Sequence, residues 1–436
     1  MDQDIAYFWF RRDLRLHDNA GLFTALKKYS AVQPIFIFDS EILAKLSSRR
    51  DPRVLFIYRE ISELKRSLEQ KGSTLRIFFG KPKEVFSMLL QEDPKPLAVI
   101  ANTDYEPYSV ERDAQVAALM KGAGVEFETV KDHIIFEPNE VLKDDGTPYT
   151  VYTPYSKKWK SILSGRDIES YPSELFLNNL VKAAQSPMPS LEDMGFEDFS
   201  FNFPPKSVSS DTLNQYAEVR DFPAVNGTSQ LGLHLRFGTV SIRELTRQAI
   251  THSATFLGEL IWRNFFIQIM AHFPYAADGP FKKQYANIAW RNNEQEFEKW
   301  CHGETGYPIV DAGMRELLHT GFMHNRVRMI TASFLTKHLL IDWRWGEAWF
   351  AEKLLDFELA SNNGNWQWAA GTGCDAAPYF RVFNPTIQEQ KFDPQGKYIA
   401  RWVPEAGTIA YARAIVEHSM ARDRAINAYK SSLAKG

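Results

Sequence analysis

Cysteine is nearly missing from this chain: Cys301 and Cys374 are the only two in 436 residues, and they form no CxxC pair. A disulfide framework is excluded, as is a tetrahedral thiolate zinc site, so free thiols in a reducing compartment and no resident metal are expected. An excess of either charge is missing too. The 51 Lys and Arg nearly balance 54 Asp and Glu, for a net charge of −3, which rules out a histone-like or polybasic-tail binder. Any nucleic acid must then be met by a local patch. No uninterrupted apolar run approaches the length of a membrane span, and mean hydropathy is −0.34. The opening residues, MDQDIAYFWFRRDLRL, put two acids before a short apolar run and the basic cluster after it, the wrong order for a secretory leader. A soluble cytoplasmic protein is expected, with no membrane partner. What stands out is aromatic content: 14% of residues, with 11 Trp, most of them in the second half.

Between Ile5 and Val130, short apolar runs alternate with amphipathic stretches. The runs Ile5 to Phe10, Val32 to Phe38, Thr74 to Phe79, Leu97 to Asn102 and Val125 to Val130 are rich in β-branched and aromatic residues and read as strands. The clearest helix lies between Pro52 and Lys71, where Leu55, Tyr58, Ile61, Leu64 and Leu68 recur at helical spacing ahead of Gly72. Strand and helix in alternation predict a doubly wound parallel sheet. The turn after the first strand reads Arg11-Arg12-Asp13-Leu14-Arg15, without the glycines of a dinucleotide fingerprint, which disfavours a nucleotide at that point. Residues 131–210 lose periodicity and gather Pro, Ser, Asn and acids, as a long wrapped linker does, with a short helix expected over Tyr152 to Leu163. From Asp211 the pattern is helical almost throughout. The expected division is therefore an α/β domain over 1–130, a linker over 131–210 and an all-α domain over 211–436.

Three clusters in the helical half carry chemistry. Gly227-Thr228-Ser229-Gln230-Leu231-Gly232 offers small residues, two hydroxyls and backbone N–H groups entering a helix, a serviceable cradle for a phosphate, although a capped helix start looks the same. Gly321 to Met329 brings Arg326 and Arg328 two residues apart. Asp356 to Trp368 pairs the amides Asn362 and Asn363 and alternates Trp366 with Trp368. Neither an exposed helix nor an unpartnered core would hold that set, so it reads as the lining of a site.

On FRRDLRLHDN (Phe10 to Asn19), ELIWRNFF (Glu259 to Phe266), TGYPIVDAGMRELLHTGFMHNRVRMITASFL (Thr305 to Leu335) and NNGNWQWAAGTGCDAAPYF (Asn362 to Phe380), the chain resembles the photolyase/cryptochrome flavoproteins. It is most similar to class I cyclobutane pyrimidine dimer photolyases. The resemblance implies an α/β domain, a wrapped linker and a helical domain holding folded FAD. It places FAD against Tyr216, the loop Thr228, Ser229, Gln230, Leu231 and Gly232, then Arg263, Asn325, Arg328, Asp356, Phe357, Glu358 and Asn362, the last facing flavin N5. Gly232 stands where serine is usual and Glu358 where many relatives have aspartate; both keep the chemistry required.

The implied reaction is electron transfer from excited, reduced flavin to a pyrimidine dimer flipped out of DNA, followed by bond scission and return of the electron. By the resemblance, Trp262 and Trp368 stack on the dimer, Glu259 hydrogen-bonds a thymine and Met329 packs beside it. Trp290, Trp343 and Trp366 match a chain carrying electrons from the surface to oxidised flavin. Contacts to DNA fall to Arg220, Glu259, Trp262, Asn325, Arg326, Trp368 and Gln388, as the local patch that net charge does not show. A monomer is expected.

Three other functions compete with dimer repair. Cryptochrome photoreceptors commonly carry a C-terminal extension, whereas this chain stops soon after its last expected helix. The (6-4) photolyases place paired histidines at the lesion, whereas His324 is followed by Asn325. A nucleotide-binding oxidoreductase is weakened by the missing glycine fingerprint. The antenna stays open between a folate, a deazaflavin and none. Tyr108 and Ser109 stand where folate-binding relatives carry asparagine and glutamate, which counts against a folate.

Overall fold

The computed structural model describes residues 5–434. Five strands form, β1 (Ile5–Phe10), β2 (Ala31–Asp39), β3 (Arg76–Gly80), β4 (Ala98–Asn102) and β5 (Glu126–Val130), close to the expected runs. They make one parallel sheet in the order β3-β2-β1-β4-β5. β1 explains why its sequence is apolar throughout: Ala6, Phe8 and Phe10 enter the core on one face, while Tyr7 and Trp9 enter the core on the other. The Pro52–Glu69 helix starts on Asp51, whose side chain accepts the Arg53 N–H, and buries Val54, Leu55, Ile61, Leu64 and Leu68. It stops ahead of Gly72, whose φ of +75° suits glycine.

The turn after β1 is filled by ion pairs. Asp13 accepts the Arg11 N–H at 2.7 Å and the Asn102 amide at 2.5 Å. Arg15 and Arg243 both reach Asp132, at 2.7 and 2.9 Å, and Arg243 also reaches Asp18 at 2.8 Å. Burial pushes the Asp132 carboxyl up, but the two guanidinium groups outweigh it and hold it well below the usual carboxylate range. Charged side chains thus occupy the place where a glycine fingerprint would admit a pyrophosphate.

The chain divides into two compact units. The first gathers the residues up to Glu140 with Ile162–Ser207 and Gln230–Thr251; the second gathers Val141–Ser161, Val208–Ser229 and the residues from His252 on. The Tyr152–Ile162 helix therefore belongs, up to Ser161, to the second unit, which is otherwise helical. Its core runs through Trp300, Met314, Val327, Leu335, Trp343 and Trp366. Gly313 lets the Pro308–Thr320 and Asn325–Ser333 helices close up: a Cβ there would lie 2.3 Å from Val327. Cys301 and Cys374 are free, and burial pushes their thiols up to about 12 and about 11.

Candidate functional site

Within the second unit, a cleft with about 600 Å³ of atom-free space opens between the Asn325–Ser333 helix, the 354–358 turn and the Leu359–Ala370 helix. His324 caps the first helix, its Nδ1 accepting the Arg326 N–H at 3.2 Å, and this aims Asn325, Arg328 and Met329 into the cleft. Arg328 donates to Met323 O at 2.7 Å and pairs with Asp356 Oδ2 at 2.9 Å. The other Asp356 oxygen is buried in the cleft wall with no partner. Glu358 accepts from Arg263 at 2.9 Å and from Ser361 at 3.0 Å, which ties the Ala254–His272 helix to the cleft. Phe357, Trp366 and Trp368 complete its aromatic lining.

The paired amides separate in role. Asn362 lines the cleft, and its Nδ2 donates to the Glu347 main-chain oxygen at 3.0 Å and to Glu347 Oε1 at 3.1 Å. Burial pushes the Glu347 carboxyl up, and the Asn362 bond opposes that. Asn363 instead accepts from Gln367 at 3.0 Å within a buried structural network. Two glycines bring the walls together. At Gly364 a Cβ would lie 2.2 Å from the Phe266 ring, and at Gly346 it would lie 2.1 Å from Trp366.

Glu259 and Trp262 sit on the Ala254–His272 helix. Glu259 pairs closely with Arg220; burial pushes its carboxyl up and Arg220 pulls it back. Arg220 also lies over the Tyr216 ring at 5.9 Å. The next residue, Asp221, holds Arg326 at 2.7 Å. The Arg326 guanidinium covers Phe392 at 4.4 Å, on the helix that carries half-buried Gln388. Two arginines and two carboxylates thus alternate along one rim. The Trp262 face is covered by the Tyr152 ring, 3.6 Å away and 4° from parallel.

Trp343 and Trp366 are buried in one core, and Trp290 packs partly buried against it. Trp366 meets Phe350 at 4.9 Å and Trp300 at 6.1 Å. Thr228 and Ser229 fall in the second unit and Gln230 to Gly232 in the first. Gln230 adopts a left-handed φ of +53°. Sequence reasoning missed Glu347, Tyr152, Asp221 and Trp300, none of which sits in a cluster with a chemical signature. Among the described residues no group of three or more His, Cys, Asp and Glu could hold a metal ion, and no helix is long and apolar enough to cross a membrane.

The family profile described as the FAD binding domain of DNA photolyase matches residues 256–410, and that described as DNA photolyase matches residues 6–173. The chain is 38% identical to a deoxyribodipyrimidine photo-lyase of Synechococcus sp., over 91% of this chain and 87% of that one. The chain belongs to the DNA photolyase family. Among solved photolyase-family structures, it is similar to a bacterial class III photolyase from Agrobacterium tumefaciens, at TM-score 0.86 and 31% identity over 99% and 98% of the two chains. It is also similar to a Synechocystis cryptochrome, at TM-score 0.81 and 25% identity over 97% and 98%. The FAD-binding domain matched in this photolyase-family chain contains every residue that lines the cleft. The lining suits a flavin: Asp356 offers its orphaned oxygen to a ring N–H, Arg328 supplies positive charge, and aromatic walls suit a flat tricyclic ring.

Proposed function

We propose that this chain repairs cyclobutane pyrimidine dimers in DNA under light, with FAD in the cleft of the second unit. The observation that carries the reading is the cleft itself, where the Arg328–Asp356 pair, Glu358, Asn362 and Trp368 converge inside the matched FAD-binding domain. The relatives named deoxyribodipyrimidine photo-lyase support the choice of substrate. Bound FAD supplies, when reduced and excited, the electron that splits the dimer.

The chain's own residues do the rest. Asn325, Arg328, Asp356 and Glu358 hold the ring system, and Asn362, whose amide N–H groups are engaged by Glu347, presents its oxygen to a ring N–H. Tyr216, Arg263, Thr228 and Ser229 complete the cofactor contacts. Trp262 and Trp368 receive the flipped bases, with Met329 beside them. Glu259, held by Arg220 at the rim, hydrogen-bonds a thymine, a contact that counts most once negative charge develops on that ring. Arg220, Arg326 and Gln388 meet backbone phosphates. Trp290, Trp343 and Trp366 relay electrons that reduce the resting cofactor.

The test is a titration with dimer-containing and undamaged duplexes. Losing an aromatic stacking partner costs about 1–3 kcal/mol per base, so Trp262→Ala should weaken dimer binding by roughly ten- to a hundredfold and scarcely change undamaged binding. Glu259→Gln should lower repair yield per photon more than affinity. A photoreceptor reading, favoured by the fold shared with a cryptochrome, replaces this one if the parent protein shows no preference for the damaged duplex.

A further inference from the structure

Tyr152 opens the Tyr152–Ile162 helix, in a stretch whose composition reads only as a connection. Its ring lies flat on Trp262, with centroids 3.6 Å apart and planes 4° from parallel. The ring hydroxyl pins it there by donating to Gly258 O at 2.8 Å, and the Tyr152 main-chain N–H, donating to Asp375 Oδ2 at 3.0 Å, fixes the start of the helix. The same helix is fastened along its length, since Tyr155 leans on Phe265 at 5.1 Å and Trp159 Nε1 donates to Asn264 Oδ1 at 3.1 Å. Trp262 also meets Phe265 edge-on at 5.7 Å and Phe266 at 5.4 Å. Its indole is therefore held in one plane while still half-exposed.

The geometry points to Tyr152 as a positioning residue for dimer recognition: it fixes the indole of Trp262 before DNA arrives, so that the flipped lesion meets an aromatic wall already ordered. Preorganisation of this kind strengthens binding by removing the ordering cost from the binding step. The inference rests on the proposed role of Trp262. The opposite role, a plug standing where a thymine ring would lie, requires the Tyr152 ring to leave Trp262, breaking both the stack and the hydroxyl bond to Gly258.

The experiment measures affinity for dimer-containing and undamaged duplexes with the FAD-loaded protein and its variants. Tyr152→Leu removes the stack and should weaken dimer binding about three- to tenfold while leaving undamaged binding within about twofold. Tyr152→Phe keeps the ring and should stay near the parent. In the Trp262→Ala background, Tyr152→Leu should have no further effect on dimer binding. If Tyr152→Leu loses its FAD, Tyr152→Met, which also lacks a ring, carries the same comparison. Tighter dimer binding by Tyr152→Leu would establish the plug and overturn the inference. An equal loss on both duplexes, or no loss, overturns it as well. A parent that does not discriminate damage sinks the proposed function and this inference with it; a parent that discriminates, with Tyr152→Leu retaining the whole preference, sinks the role of Tyr152 alone.

Discussion

Gly346 carries a quantitative prediction. It lies buried in the Trp343–Lys353 helix, where a Cβ would stand 2.1 Å from Trp366 Cη2 and 2.5 Å from both Trp366 Cζ3 and Leu335 Cδ2. Ordinary contact begins at 3.4 Å, so Gly346→Ala forces the indole back by about 1.3 Å, measured against normal packing. Phe350 at 4.9 Å and Trp300 at 6.1 Å hem the ring in elsewhere, and the open direction is the cleft that Trp366 lines. Alanine regains about 1 kcal/mol of helix propensity. Overpacking a core costs about 1–3 kcal/mol, and a rigid two-ring side chain belongs at the upper end. The net expectation is a loss of about 1–2 kcal/mol, expressed largely as displaced cofactor. FAD affinity, followed by recovery of flavin fluorescence on release, should fall about tenfold. Thermal release of the flavin should begin at a lower temperature. Parent affinity together with a parent release temperature would refute the packing argument.

Three further outcomes follow from the site. Burial holds the buried His324 imidazole down at about 4, against about 6.5 in an unfolded chain. Its contribution to stability is therefore complete above about pH 6.5 and is lost as pH falls toward 4; the melting temperature should drop over that window, and His324→Asn, which still caps the helix, should flatten the drop. A flat parent profile would contradict this. Asp221→Asn frees Arg326 from its 2.7 Å partner, so binding to undamaged duplex should tighten and the salt slope steepen by about one; an unchanged slope means that Arg326 does not meet phosphate. Trp366→Phe should block light-driven reduction of bound oxidised FAD and spare repair by protein reduced chemically. Equal rates of photoreduction in mutant and parent would reject the relay.

The sheet was legible because parallel strands buried on both faces must be apolar along their whole length, as Ile5–Phe10 shows. The 52–69 helix was legible from its spacing and from Gly72 beyond its end. The cleft was legible in part: Asp356 to Trp368 looked like the lining of a site, but nothing local told Asn362, which faces the cleft, from Asn363, which is spent on Gln367. Partners far apart in the chain were not legible. Arg15 and Asp132 are 117 residues apart, and Asp221 and Arg326 are 105 apart. Periodicity marks a helix without saying which core it joins, so the attachment of Gln230–Thr251 to the first unit left no trace in the pattern. The Tyr152 segment looked polar because its buried residues, Tyr155, Ser156 and Trp159, are few and carry polar groups of their own.

The central claim is dimer repair by light at this cleft, and one measurement meets it directly. Purified protein, with its FAD reduced, is mixed with an oligonucleotide carrying a single thymine dimer and illuminated with blue light, alongside a dark control and an oligonucleotide carrying a (6-4) lesion. Intact thymines should be restored in the illuminated dimer sample alone. Dimers that survive illumination of the flavin-loaded, reduced protein would contradict the claim.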